Sequence, residues 1–386
     1  MRVLVSMDKF KGTATAAEAC AAVARGLRRA DPGLEVRALP MADGGDGTLD
    51  ALLHSGYDHD TLTAPDADGH PRTARVARRG GTWLVEIAEI CGLGGRQPTP
   101  GTAERADSSG VADAIRHALD AGACEIRIGL GGSATSDGGA GMLRRLGVRF
   151  LDRTGGPLPV GGAALAELGD LDWSGLDPRL AAVRLRGLCD VDSPLLGASG
   201  AARVFGPQKG ADPAAVERLE AGLSRFAQVV ARTPPPAGFV DPAAAGAGAA
   251  GGLGWGLRLI GAELAGGGEQ IADAVGLDAA AAGADLVITG EGRLDPQSLA
   301  GKTPAVVAEI ARRRRIPVAA VVGQDRLGSE SARLGLIRVV ELERIAGPTA
   351  GDRDRTLWAL DQAGALLAPT AREAPRPAPA AAPPRS

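Results

Sequence analysis

Short apolar runs alternate with longer amphipathic stretches at both ends of the chain. Residues 2–6 (RVLVS) form a β-type run, a polar loop follows through Gly12, and apolar positions then recur at helical spacing over residues 13–29, with Thr13 as the N-cap. Asp31-Pro32-Gly33 stops that helix, residues 35–39 read as the next strand, and residues 46–53 as the next helix. The same rhythm returns late, with strands at 285–289, 318–322 and 338–341 and a helix at 303–314. Such alternation predicts a doubly wound parallel sheet.

The middle of the chain breaks the pattern. Strands at 73–76 and 82–87 joined by Arg79-Gly80-Gly81 read as a hairpin, which a purely parallel sheet would not contain. A helix at 108–121, a strand at 125–130, a helix from Ala140, a strand at 184–189 and a long amphipathic helix at 212–231 closed by Pro234-Pro235-Pro236 complete this region. The expected fold class is therefore α/β. Both chain ends (residues 1–64 and 281–370) build a parallel-sheet domain, and residues 65–280 form an inserted second α/β domain of mixed sheet. Active sites favour the seam of two such domains. Residues 371–386, rich in Pro and Ala, are expected to be a disordered tail.

Composition narrows the function. A chain of 386 residues exceeds one ordinary core, which supports two units. Its net charge of −3 argues against a nucleic-acid binder that lives on phosphate neutralisation. With 4 Trp, 1 Tyr and 5 Phe, a nucleotide base would find few rings to stack on. The 4 cysteines form no CxxC pair, so neither a zinc knuckle nor a thioredoxin-like site is written here, and a reduced cytoplasmic protein is expected. Neither the opening MRVLVSMD nor the uncharged residues 243–257 has the length of a signal peptide's apolar region or of a membrane span, so no membrane partner is expected. The four histidines show no HExxH spacing and read as solvated; GxSxG, the strict GxxxxGK[ST] loop and a GxGxxG after the first strand are all absent.

The 57 glycines matter most where they join acids, lysines and hydroxyls after predicted strands. Asp8, Lys9, Lys11 and Gly12 precede the first helix and could hold phosphate oxygens. Asp43, Gly44, Gly45 and Asp46 form a turn that could bind Mg²⁺ or a substrate hydroxyl, or simply cap the next helix through Asp46. Gly131, Gly132, Ser133, Ala134, Thr135 and Asp137 lie in a strand-to-helix loop with the build of an anion cradle. Asp190 ends a strand, where an acid can serve as general base or metal ligand, and is followed by Gln208 and Lys209. Glu291, Arg293 and Asp295 lie in a fifth loop. Jointly the five point to a polyanionic ligand.

The strings DKFKGT, PMADGGDGT, GLGGSATSDGGAGML, CDVDSPLLG, VFGPQKGA, GAGAAGGLGW and ITGEGRLDPQSLAGKTP, in this order to about residue 368, resemble the type I glycerate kinase family. The resemblance implies a Rossmann-like domain, a second α/β domain, and phosphorylation of D-glycerate from ATP with Mg²⁺. It carries over to Asp8, Lys9, Lys11 and Gly12, to residues 43–48 and 131–139, to Asp190, Gln208 and Lys209, and to residues 291–295 with Lys302. The expected roles are Asp190 as base, Lys11 on the transferring group, Asp43 and Glu291 as metal ligands, and Arg293 or backbone N–H groups on the glycerate carboxylate. Phosphorylation of the 2-hydroxyl is favoured. Alternatives are a kinase of the 3-hydroxyl or of another small hydroxy acid, or a non-catalytic sensor of a phosphorylated sugar acid; oligomeric state stays open.

Overall fold

A computed structural model describes residues 1–238, 240–299 and 301–373. The tail expected from residue 371 lies outside them from residue 374 onward, and the last described helix runs Arg353–Glu373. The chain forms two compact units, one of Met1–Asp43, Asp50–Gly56 and the chain from Gly268, the other of Gly44–Leu49 and Tyr57–Gly267.

The chain opens with β1 (Arg2–Val5) and β2 (Glu35–Ala38) of the first unit. It continues through the second unit in β3 (Asp58–Pro65), β4 (Pro71–Arg79), β5 (Thr82–Glu86), β6 (Glu125–Gly129), β7 (Arg149–Asp152), β8 (Leu168–Asp172), β9 (Arg184–Leu188) and β10 (Glu263–Ala265). It then returns to the first unit in β11 (Leu286–Leu294), β12 (Val318–Asp325) and β13 (Leu336–Glu341).

The first unit is a parallel sheet ordered β13-β12-β11-β1-β2. Val3, Val5, Ile288, Ala319 and Val321 of the sheet bury against Ala19, Val23 and Leu27 of the helix Ala16–Ala30. That helix also packs on Arg353–Glu373. Side chains there would collide, since a Cβ on Gly26 would stand 1.8 Å from the Asp361 carbonyl and one on Gly364 2.2 Å from that of Val23.

The N-cap of Ala16–Ala30 is Thr15, not Thr13, and Glu18 completes a capping box with it. The Thr13 hydroxyl instead donates to the Phe10 carbonyl at 2.9 Å, inside a tight loop closed by a Phe10/Ala14 bridge with Gly12 at φ +77°. β11 is longer than expected: Glu291, Arg293 and Leu294 pair with Val322, Gln324 and Asp325, which moves the fifth loop onto the strand itself.

The second unit holds a mixed sheet ordered β10-β9-β6-β5-β4-β3, with β3/β4 and β4/β5 antiparallel and the remaining pairs parallel; β7 and β8 make a separate ribbon. The sequence boundary at 65 moves to 57 because β3 pairs with β4 from Asp58↔Arg78 to Pro65↔Pro71. This edge strand is polar and mostly exposed, so its sequence reads as a loop. The boundary at 280 likewise moves to 267, since helices Gly267–Val275 and Leu277–Ala281 fall almost wholly in the first unit. The second core gathers Trp83, Ile128, Leu143, Phe226 and Trp255; Phe226 meets Trp255 edge-on at 5.0 Å.

Candidate active site

In the first unit the chain leaves β1 for β2 on one side and later returns to β11 on the other, so the strand order reverses between β1 and β11. Ligands of open α/β sheets bind outside the carboxyl ends of strands at such a switch point. Asp8 follows β1 there, with its N–H donating to the Gly290 carbonyl at 2.9 Å, and Glu291 is the next residue of β11. Gly290 itself has no room for a side chain, because a Cβ there would stand 2.0 Å from the Val321 carbonyl and 2.6 Å from Met7 Cε.

Both acids are buried, at 7% and 8% exposure. Asp8 accepts from the Thr303 hydroxyl at 2.8 Å and the Lys9 N–H at 2.7 Å, yet burial, reinforced by the Asp43 charge, pushes it up to about 6. Glu291 is pushed up to about 7, again by burial first, against the pull of Ser298 and Lys302, and its Oε1 has no hydrogen-bond partner among the described residues. These are carboxylates short of positive charge.

Of the basic residues predicted here, half-buried Lys9 is the one whose charge counters Asp8. Lys11 is exposed, with no hydrogen bond or ion pair among the described residues. Lys302 caps the helix Thr303–Arg313 by position, and its Nζ donates to Gln297 Oε1 at 3.2 Å. Arg293 is engaged by Asp295 at 3.0 Å.

In the second unit Glu86, Gly129, Leu188 and Ala265 are successive partners across β5, β6, β9 and β10, so four parallel strands end in one row. From β9 comes Asp190, half-buried, whose Oδ1 accepts from the Gly267 N–H at 2.8 Å. From β6 comes the 131–139 loop, strapped on one side by Leu93 N–H to the Gly132 carbonyl (3.0 Å) and Ala134 N–H to the Cys91 carbonyl (2.8 Å). On its other side lies the GAGAAGGLGW segment, whose Gly251, at φ +71°, could carry no Cβ because the Thr135 carbonyl would be 2.0 Å away. The turn beginning at Gly44 meets the same loop backbone to backbone: a Cβ on Gly131 would stand 2.3 Å from Gly45 Cα.

Two predicted ligand-binding residues face inward instead. Asp137 is fully buried, and its carboxylate is consumed by the Ser108 N–H (3.0 Å) and hydroxyl (2.7 Å), the Gly139 N–H (3.1 Å) and the Gly141 N–H (3.0 Å). It therefore clamps the loop and leaves no oxygen for a ligand. Lys209, 3% exposed, donates to Ser133 Oγ at 2.9 Å and to the Thr135 carbonyl at 2.5 Å, beneath the loop. Its neighbour Gln208 is exposed. The Thr135 and Ser136 hydroxyls are buried without a hydrogen-bond partner among the described residues.

Glu86, far away in the chain, meets N–H groups at the start of the helix Thr48–His54. Its oxygens accept from Gly47 N–H at 3.0 Å and Leu49 N–H at 2.8 Å, and its pKa is pushed up to about 7, chiefly by burial. Sequence reasoning missed Glu86, although an acid closing the apolar run TWLVE was a visible signal. Thr303 was missed as well, since nothing local ties it to Asp8.

The fold is of the α/β class: in the first unit two buried acids of raised pKa stand at the strand-order reversal, and in the second unit a strand-to-helix loop of glycines and hydroxyls has the build of an anion cradle. A family model described as the glycerate kinase family matches residues 3–367. The chain is 40% identical to a glycerate kinase of Bacillus subtilis (strain 168) over 332 residues, covering 84% of this chain and 85% of that one. It is 39% identical to the glycerate 2-kinase of Escherichia coli (strain K12) over 333 residues, with coverage of 84% and 85%. A crystal structure from Salmonella typhimurium LT2, assigned as a glycerate kinase 2, superposes with TM-score 0.80 at 38% identity, covering 97% of this chain and 98% of that one. The chain belongs to the glycerate kinase family and is a kinase.

Proposed function

We propose that the protein transfers the γ-phosphoryl group of ATP to the 2-hydroxyl of D-glycerate, giving 2-phosphoglycerate. The observation that carries this reading is the pair Asp8 and Glu291, buried and raised at the strand-order reversal of a glycerate kinase family chain. A divalent cation fits them, because Glu291 Oε1 lacks a partner among the described residues, Asp8 and Asp295 add negative charge to Glu291, and Asp43 adds to that on Asp8. Mg²⁺ favours such a site, one or two carboxylates completed by waters and phosphate oxygens. Asp43 and Glu291 would hold it, with Asp8 held close by Thr303. When bound, the ion supplies neutralisation of phosphate charge.

The chain's own groups do the rest by position and charge. Lys11, with no protein partner among the described residues, places its ammonium on a phosphoryl oxygen. The 131–139 loop offers backbone N–H groups and the hydroxyls of Ser133 and Thr135 to phosphate. Asp190, oriented by Gly267 N–H, receives the proton of the glycerate hydroxyl. Arg293 is spoken for by Asp295, which favours backbone N–H groups for the glycerate carboxylate. No helix among the described residues is long and apolar enough to cross a membrane, and the four cysteines are free thiols, in keeping with a cytoplasmic setting.

Incubation with D-glycerate, ATP and Mg²⁺, followed by phosphorus NMR, should show 2-phosphoglycerate; 3-phosphoglycerate, or no transfer, overturns the reading. Lys11→Ala should lower kcat at least about tenfold with Tm unchanged. Near-normal turnover would remove Lys11 from the phosphate site.

A further inference from the structure

The ammonium of Lys209 is enclosed beneath the 131–139 loop, on the short turn Pro207–Lys209. It donates to the Ser133 oxygen at 2.9 Å and to the Thr135 carbonyl at 2.5 Å. An oxygen that accepts from an ammonium must send its own proton elsewhere, and an ammonium can only donate. Ser133 Oγ donates to no acceptor among the described residues, although Ser133 is only 4% exposed. Two further hydroxyls of the same loop, on Thr135 and Ser136, are buried and equally unspent. A hydroxyl proton in this position costs free energy until an acceptor arrives.

We propose that Lys209 is a positioning residue: by occupying the Ser133 oxygen as an acceptor, it leaves the Ser133 O–H to donate to an anionic oxygen of the phosphoryl donor. The proposal rests on the reading that this loop holds phosphate. It assigns Lys209 no contact with the nucleotide; the lysine acts through the serine, while the second hydrogen bond holds the Thr135 carbonyl away from the incoming anion.

The surroundings of Lys209 give the device a pH signature. Cys91 faces it as a neutral thiol, pushed up to about 12 by burial, and Asp137 faces it with a carboxyl raised by burial and by Asp107; Arg144 also feels those two acids. Burial pulls Lys209 down to about 8. Above that pH the neutral amine presents a lone pair, so the Ser133 proton can turn inward and is lost to the ligand.

A double-mutant cycle on the full chain tests the idea, with KM for MgATP, ATP affinity by calorimetry and Tm measured for Ser133→Ala, Lys209→Met and the double variant. Each single change should raise KM for MgATP about tenfold or more, the worth of a hydrogen bond to a charged group. The double variant should be no worse than Lys209→Met, within about twofold. Losses that multiply overturn the positioning role but leave the phosphate loop standing. A silent Ser133→Ala overturns both the role and the loop's part in the proposed function. Should Lys209→Met fail to fold, the wild type and Ser133→Ala suffice: ATP affinity should weaken above about pH 8 in the wild type and stay level in the variant. The same decline in both proteins overturns the proposal.

Discussion

Asp190→Asn should keep its fold and lose between about 10² and 10⁴ in kcat, the usual worth of a general base. Asp190 stands two residues beyond the sheet register, which ends at Leu188, and its Oδ1 is fixed by the Gly267 N–H at 2.8 Å. An asparagine oxygen can accept that same bond, so the strand end and the start of Gly267–Val275 should stay in place and Tm should hardly move. What the amide lacks is a basic oxygen for the glycerate proton. ATP affinity should be retained while transfer is lost. Turnover at the wild-type rate would place the base elsewhere.

Glu291→Gln should act on activity and stability in opposite directions. If Glu291 is a metal ligand, the Mg²⁺ concentration for half-maximal rate should rise at least about tenfold, because a neutral amide is a far weaker ligand for a hard cation. In the metal-free protein the same change should stabilise. The folded-state pKa of about 7 lies above the ordinary 4.5, so ionising Glu291 costs folding free energy. That cost is absent in acid, grows as pH rises past the ordinary value, and levels off above about pH 7, at about 3 kcal/mol as an upper bound. Chelator-treated Glu291→Gln should therefore melt several degrees above the wild type at pH 8 and level with it near pH 4. A lower Tm at pH 8 would show that the carboxylate is already well compensated without metal.

Where the sequence reading and the structure part, the cause is contact between residues far apart in the chain. Local logic offers only Asp46 as a cap for the helix after it; the N–H groups of Gly47 and Leu49 are met by Glu86, brought there by its place at the end of β5. Asp137 and Lys209 carry the right charges in the right motifs, but both are folded under the loop they serve. Helix starts differ for a more local reason: Thr13 and Thr15 are alike by type, but Thr15 has Glu18 three residues on to complete the capping box, while Thr13 is held in the loop closed by the Phe10/Ala14 bridge. β3 escaped because an edge strand can be polar on most of its length.

The alternation of β and helical periods, the return of that rhythm after Asp285, and the order of the glycine-rich strings were enough by themselves to determine an α/β chain and its kinship. Those properties depend on spacing along the chain, which periodicity records directly. Which acid is strained, which lysine lies within reach of solvent and which hydroxyl proton is unspent was decided only by the tertiary structure. Such properties depend on burial and on partners as distant as Asp8 and Thr303, and a side chain's charge state follows its surroundings rather than its identity.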